Sequence, residues 1–144
     1  MPYGVVVQWL FDSILDYVLS KIPAYQGYVD RGDPSAWDYV TGMFSPDGAW
    51  HEMDLSAIVP PEAVAICFEL RMQVTGAGRY IQFRKKGNVN TYNVSIHYTQ
   101  ASNAVFTCDG IVSLSEDKKI EYLMTPYIWT GVFFLVKGWF AKVI

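Results

Sequence analysis

The chain has 144 residues, with 11 Lys and Arg against 14 Asp and Glu, a net charge of −3, and 51% hydrophobic residues. This length is enough for one domain with a sizeable core. The large apolar share and the low charged share of 17% exclude a disordered chain, and the acidic balance argues against nucleic acid as a partner. Aromatic residues make up 16%, which favours β-structure or large contact surfaces.

The first segment, Val5 to Ile22, is predicted to be an amphipathic helix that ends before Pro23. Its polar residues recur at every fourth position and form one narrow stripe: Gln8, Asp12, Asp16 and Ser20. The rest of the helix is apolar, so we expect it to pack on its own domain or between subunits. The leading hypothesis is a subunit interface made by Val6, Leu10, Phe11, Ile14, Leu15, Val18 and Leu19.

This opening segment resembles neither a secretory signal nor a membrane span. No basic residue precedes it, since the first is Lys21, and its polar residues interrupt the apolar run that a bilayer requires. We therefore expect synthesis in the host cytoplasm without export, and no membrane insertion.

The chain is predicted to divide into three parts: a helix that joins copies or docks them (1–23), a linker or extended arm (24–36) and a β-sandwich domain (37–144). The middle part is rich in Gly, Asp and Pro and has no sustained period. It contains Arg31-Gly32-Asp33, the tripeptide that integrins recognise, which we interpret as part of a turn.

From Trp37 onward, short alternating runs are separated by turn residues. The alternation is clearest in 63–72, where Val64, Ile66, Phe68, Leu70 and Met72 share one face. Further strands are predicted at 38–44, 49–55, 79–85, 92–99, 105–114, 119–124 and 130–140. About eight strands with no helical period among them indicate an all-β fold, an antiparallel β-sandwich or jelly roll.

The last predicted strand, 130–140, is apolar on both faces. Val132, Phe134 and Val136 are expected to fill the sandwich. The opposite face needs a cover, which a neighbouring subunit or the N-terminal helix would supply. Phe133 and Leu135 therefore join the predicted oligomer interface.

The search for catalytic and metal-binding motifs is negative. His51-Glu52 begins like a zinc-protease motif, but position 55 is Leu, and we interpret His51 and His97 as strand residues on a polar face. Two cysteines are too few for a disulfide scaffold or a cysteine-based zinc site, and whether they pair is left open: Cys67 and Cys108. A glycosidase pair would have to come from Glu52, Asp54, Glu69 and Asp109, whose spacing says nothing about their distance. We predict no enzyme, cofactor or metal.

Ligand contact is the remaining possibility. Arg79, Arg84, Lys85 and Lys86 form the one basic cluster, which fits an acidic subunit, a phosphorylated sugar or an anionic surface, or else a solvated hairpin tip. Exposed aromatic rings stack on sugars because they combine an apolar face with a polar rim. The candidate ligand-contact residues are Trp37, Trp50, Tyr80, Arg84, Lys85 and Tyr98.

Several short segments, in their order along the chain, are similar to a β-sandwich domain found at the C-terminal end of bacteriophage and environmental viral structural proteins. They are Trp50–Ala63, Ile81–Asn90, Tyr92–Val94, Trp129–Thr130 and Val136–Phe140. The resemblance extends over residues 37–140 and implies a non-enzymatic virion part, such as a tail-fibre or receptor-binding head or a capsid decoration, often a trimer. It implies no catalytic residues and does not include the N-terminal helix.

The leading functional hypothesis is therefore a phage-like virion structural protein that forms a homo-oligomer, a trimer as the resemblance implies. Its expected partners are its own copies, other virion proteins and a host-surface glycan, and its expected location is the virion. The alternative is a carbohydrate-binding module or lectin-like domain. A hydrolase is the third and weakest hypothesis.

Overall fold

One helix precedes an array of antiparallel β-strands. The computed structural model describes residues 3–21 and 25–142. Helix α1 runs over Tyr3–Lys21. The strands are β1 Tyr25–Asp30, β2 Tyr39–Val40, β3 His51–Asp54, β4 Ala63–Val74, β5 Tyr80–Lys85, β6 Ser95–Tyr98, β7 Phe106–Ser113, β8 Lys119–Met124 and β9 Trp129–Lys142. Helix α1 begins at Tyr3, two residues before the predicted start at Val5. The predicted end, at Ile22 and Pro23, lies outside the described residues.

The strands form two sheets in which every pairing is antiparallel. The large sheet has the order β1-β9-β4-β7, and β2 also pairs with β9. The small sheet has the order β3-β8-β5-β6. The predicted mostly-β fold with one N-terminal helix is therefore confirmed, in a sandwich-like arrangement.

The core lies between the inner faces of the two sheets. Phe68 on β4 and Phe134 on β9 stack with their ring centroids 5.0 Å apart. Phe83 on β5 of the small sheet lies 4.9 Å from Phe68 and 5.3 Å from Phe134. All three side chains are fully buried, so this aromatic triangle joins the two sheets.

Strand alternation explains which side chains enter the core. On β4 the residues Ile66, Phe68, Leu70 and Met72 are buried, as the sequence predicts. Val64 is only half-buried, because the β4–β9 register shifts between Ala63 and Ala65 and Ala63 takes the core position instead. On β9 the residues Val132, Phe134 and Val136 are fully buried, and Phe133 and Leu135 face outward and are half-buried.

The segment predicted as a linker or arm contains a strand. β1 pairs with β9 from Tyr25↔Lys142 to Asp30↔Gly138, so the large sheet begins before Trp37. The sequence gives no alternating apolar pattern here, because β1 is an edge strand that contributes little to the core. It is held mainly by backbone hydrogen bonds to β9.

An ion pair fixes the chain after β1. The Arg31 guanidinium makes two hydrogen bonds to the Asp38 carboxylate, of 2.5 and 2.8 Å, and one to the carbonyl oxygen of Val136. Asp38 also accepts a hydrogen bond from the Val136 amide, 2.8 Å long. Because Arg31 is committed to these contacts, the Arg31-Gly32-Asp33 tripeptide does not present a free guanidinium to an integrin.

The two cysteines lie on neighbouring strands but are not bonded to each other. Cys67 on β4 pairs in register with Ile111, and Cys108 on β7 pairs with Leu70, three positions away. Cys67 faces outward between the buried Ile66 and Phe68, whereas Cys108 points towards the core. Both are half-buried free thiols rather than fully buried ones.

We predict that Gly110→Ala destabilises the sandwich by about 1–3 kcal/mol, the usual effect of overpacking a core. A Cβ at Gly110 would lie 2.5 Å from Cζ of the fully buried Phe68 ring, which cannot move without disturbing the aromatic triangle. Gly42→Ala is the matched control, since its Cβ would meet no atom within 4 Å. Urea unfolding of both variants measures the effect, and equal midpoints would contradict the prediction.

Candidate functional site

The apolar surface of α1 is the first candidate site. All its described side chains, at residues 4–18 and 20, are exposed. The exposed fractions of the large apolar side chains run from 44% for Leu15 to 68% for Trp9. The predicted interface residues on α1 whose side chains the structure describes are all among the exposed ones: Val6, Leu10, Phe11, Ile14, Leu15 and Val18. The side chain of Leu19 lies outside those described.

The polar stripe of α1 is also formed as expected. The Gln8 amide donates a 2.9 Å hydrogen bond to the Asp12 carboxylate one turn later. The Ser20 hydroxyl donates to the Tyr17 carbonyl oxygen. The helix therefore has one face suited to water, and its wide apolar remainder is not buried by its own domain.

The outer side of β9 has a partial cover from its own chain. Trp37 lies against Phe133 with ring centroids 5.6 Å apart, and the Arg71 guanidinium lies 5.0 Å from the Trp37 ring. Residues 34–37, Glu69 and Leu135 line a shallow groove beside this contact. The expected cover by a neighbouring subunit or by the helix is therefore needed for only part of this face. Trp37 acts here as a packing residue.

The second candidate site is the outer face of the small sheet, the side turned away from the core. Four of the six candidate ligand-contact residues lie on it: Trp50, Tyr80, Arg84 and Tyr98. Strand register explains this, because Tyr80 and Arg84 are on one side of β5 and Tyr98 on β6 is directly opposite Tyr80. Of the other two, Trp37 lies on the large sheet, and the exposed Lys85 lies beside the pocket between β6 and β7.

Half of this outer face is aromatic and apolar. The Tyr80 and Tyr98 rings are 5.4 Å apart at an interplanar angle of 57°. Tyr98 is 50% exposed and Ile96, next to it on the same side of β6, is 43% exposed. Gln82, opposite Ile96, adds an amide between the two strands. This combination of ring faces with a hydrogen-bonding group is typical of a sugar-binding surface.

The other half is charged and neutralised internally. The Arg84 Nε donates a 2.9 Å hydrogen bond to Glu121, and its guanidinium lies 3.9 Å from the Trp50 ring centroid. Around it, Lys86 and Lys119 both pair with Glu52, at 3.2 and 3.1 Å. Of the basic cluster predicted from the sequence, Arg84 and Lys86 pair with carboxylates. Lys85 is exposed and has no ion pair in the described part of the chain, and Arg79 lies at the far end of the strand.

Hydrogen bonding shifts the pKa values in this network. The hydrogen bond from Lys86, followed by that from Ser115, lowers the pKa of the Asp117 carboxyl to about 2. Hydrogen bonds from Lys119 and Lys86 lower the pKa of Glu52, and those to Asp117 and Glu52 raise the pKa of Lys86. All three groups are exposed to solvent, so we expect the network to organise the surface more than it stabilises the fold.

The four candidate catalytic carboxylates are divided between the two sheets. Glu52 and Asp54 are on the small sheet, while Glu69 and Asp109 are neighbours on the outer side of the large sheet. Each has its own partner: Lys119 for Glu52, the Ser56 amide for Asp54, Arg71 for Glu69 and Lys137 for Asp109. Within residues 3–21 and 25–142, no three His, Cys, Asp or Glu side chains converge to hold a metal ion.

One polar cluster was missed by sequence reasoning. His97 on β6 lies inside the sandwich, not on a polar face: its Nδ1 is 3.2 Å from the Cys108 Sγ, and its Nε2 is 2.9 Å from the Ser95 Oγ. Burial lowers the pKa of His97, and burial together with the nearby Asp109 raises the pKa of the Cys108 thiol. Both groups are therefore held neutral, which disfavours an activated nucleophile. Alternation alone would have turned both residues inward, but only the fold brings β6 beside β7.

Comparison with known proteins gives no family for this chain. No protein-family model matches it, and no curated protein does. In the described part of the chain, α1 included, no helix combines the length and the apolar character needed to cross a membrane.

We predict that His97 makes the stability of the sandwich depend on pH. Because burial lowers its pKa in the folded state, the unfolded chain takes up the proton first as the pH falls. This contribution to the free energy of unfolding is fully present above about pH 6.5, the ordinary value for His. It is lost as the pH falls towards the lower pKa of the folded state.

Urea unfolding at several pH values from about 8 to about 5 checks this for the wild type and His97→Gln. The difference in stability between the two is expected to shrink towards the acidic end. His51→Gln serves as the control, since His51 lies outside this cluster, beside Asp47, and the acidic loss should persist in it. Parallel curves for the wild type and His97→Gln would contradict the assignment.

Proposed function

We propose that this protein is a non-enzymatic structural subunit of a phage-like virion, which assembles as a homo-oligomer through α1, in a trimer. The observation that carries the proposal is the exposed apolar surface of α1, where ten large apolar side chains from Val5 to Val18 are each at least 44% exposed. Contiguous apolar surface of this kind marks an interaction site. The virion location and the further virion partners rest on the sequence resemblance.

The free energy available from burying the apolar surface of α1 is comparable to the cost of association. Burying about 500 Å² of apolar surface per helix contributes about 12 kcal/mol at roughly 25 cal/mol per Å². Association costs about 4–15 kcal/mol for each copy that is immobilised. In a bundle of three helices around one axis, each helix buries apolar surface on two sides. The polar stripe of Gln8, Asp12 and Asp16 is narrow, so it fits the side of the helix that remains in water.

The strand connections support a jelly roll, the finer form of the fold. β1 pairs with the last strand β9, β3 with β8, β4 with β7, and β5 with β6, so that the pairs are nested like a long hairpin. Jelly rolls are used in viral capsid proteins and in lectins. This support is an analogy at the level of fold, which is weaker than support from a site.

We predict that Leu10→Lys converts the oligomer to a monomer, because it introduces a charge into the apolar surface that the copies share. Gln8→Lys is the matched control: the same side chain is introduced two positions away on the polar stripe, beside Asp12. Light scattering after size exclusion, at micromolar concentration, gives the mass of each. Wild type and Gln8→Lys are expected to have the mass of three chains.

Other results have definite meanings. A wild-type monomer at this concentration would contradict self-association through α1. A wild-type protein that is monomeric but binds phospholipid vesicles through α1 would assign the helix to a lipid surface instead. If the wild type is a dimer or tetramer and Leu10→Lys is a monomer, the interface through α1 is supported and only the number of copies is corrected.

A second candidate function is carbohydrate binding by the outer face of the small sheet. It is favoured by the Tyr80–Tyr98 pair, with Ile96 and Gln82 beside it, because these groups offer ring surface and hydrogen bonds on one plane. The two functions are compatible, since a displayed virion subunit that binds host-surface glycans would perform both.

If the outer face binds sugar, Tyr98→Ala is expected to weaken binding about two- to tenfold, in line with the roughly 0.5–1.5 kcal/mol that an aromatic contact contributes. Tyr92→Ala is the control, because Tyr92 is 83% exposed but lies on the loop after β5, away from this face. A glycan array on the wild type selects the probe, and calorimetric titration compares the variants. Equal losses in both variants, or none, would reject the outer face as the binding surface.

A further inference from the structure

Three loops meet at one end of the sandwich: residues 75–79, 99–105 and 125–128. They connect β4 to β5, β6 to β7 and β8 to β9. β1, which follows α1 in the chain, begins at the opposite end, where Tyr25 pairs with Lys142. We call this three-loop surface the distal end. In an assembly joined through α1, it is the end that is free to meet a ligand.

Arg79 is the central residue of the distal end and is held firmly there. Its amide donates a 3.1 Å hydrogen bond to the Thr99 Oγ1, and its carbonyl oxygen accepts a 2.8 Å hydrogen bond from the Thr99 amide. Its guanidinium lies 4.2 Å from the centroid of the Tyr127 ring. Gly76 makes this stacking possible, because a Cβ there would come within 3.2 Å of both Arg79 Nε and the Tyr127 ring.

The charge of Arg79 lacks a partner in the described residues. Its Nε is buried and has no hydrogen-bond acceptor. The other three described arginines each pair with a carboxylate: Arg31 with Asp38, Arg71 with Glu69, and Arg84 with Glu121. A buried, unpaired donor of a charged group is unfavourable, and partial burial strengthens the attraction between the cation and an incoming anion.

The surroundings indicate what kind of anion would fit. Beside the guanidinium, Tyr127 is 40% exposed and Ile128 is 75% exposed, so apolar surface adjoins the charge. Arg79 directly precedes Tyr80, and Thr99 directly follows Tyr98, so the distal end adjoins the aromatic pair of the outer face along the backbone. An extended ligand could place a carboxylate on Arg79 and a sugar ring on Tyr80 and Tyr98.

We propose that the distal end binds the carboxylate of an acidic sugar, of the sialic or uronic acid type, through the guanidinium of Arg79 held against Tyr127. This assignment rests on the second candidate function above and names its ligand class. The planar guanidinium suits a carboxylate because it forms two parallel hydrogen bonds. The neutral part of the same glycan then extends over Tyr80 and Tyr98.

The test compares sialyllactose with lactose, its neutral parent, and polygalacturonate fragments with neutral oligosaccharides of equal length. Calorimetric titration uses the full chain in its native assembly state. Wild type is expected to bind one acidic probe at least about tenfold more tightly than its neutral counterpart, and Arg79→Gln to lose this preference. Lys85→Gln is the matched control, since it removes the same charge from the other end of β5. It should keep the preference.

Arg79→Lys separates binding from folding, because it keeps the charge and loses the two parallel hydrogen bonds. It should fold like the wild type, with an equal melting temperature, and bind the acidic probe with an intermediate affinity. Equal affinity of wild type for acidic and neutral probes, with binding still lost in Tyr98→Ala, would overturn the role of Arg79 and leave the outer-face proposal standing. No binding of any acidic probe, or an Arg79-dependent interaction with poly-glutamate alone, would overturn the acidic-sugar assignment.

Discussion

The contact of three phenylalanine rings between the sheets is the interaction on which the rest of the fold depends. Phe68 and Phe134 lie on the two central strands of the large sheet, and Phe83 comes from the small sheet. Because all three are fully buried, they set the distance between the sheets and direct alternate residues of β4, β5 and β9 outward. The outer faces of the two sheets are thus the reverse sides of strands whose inner sides belong to this core.

The outer surfaces of the molecule differ in how many of their charged groups are paired and how many of their apolar groups are covered within the chain. On the outer side of the large sheet, Trp37 packs on Phe133, and Lys137 pairs with Asp109. On the small sheet, the Arg84–Glu121 pair neutralises the charged half. The apolar surface of α1 has no cover among the described residues, and Arg79 has no carboxylate partner there. These two features occur in different parts of the molecule.

Sequence patterns predicted the strands of the core well, because alternation follows directly from burial on one side. The period-two runs of β4 and β8 are observed with bounds close to those expected. β1 was missed because an edge strand held by backbone hydrogen bonds has no such pattern. The His97–Cys108 contact was out of reach for a different reason, since it depends on which strands become neighbours, which spacing along the chain does not specify.

The candidate binding surfaces also include features that the sequence could predict and features that only the fold reveals. The sequence could predict that Tyr80, Arg84 and Tyr98 share one face of the sheet. Tyr80 and Arg84 are an even number of residues apart on one strand, and Tyr98 is on the next strand. The unpartnered Nε of Arg79 could not be predicted, because it depends on how the loop at Gly76 and the Tyr127 ring pack around the guanidinium. Arg79 carries a charge that is partly buried and has no carboxylate partner. This is a stronger indication of a ligand than the basic cluster to which Arg79 belongs in the sequence. Arg84 and Lys86 of that cluster form ion pairs, whereas Arg79 does not.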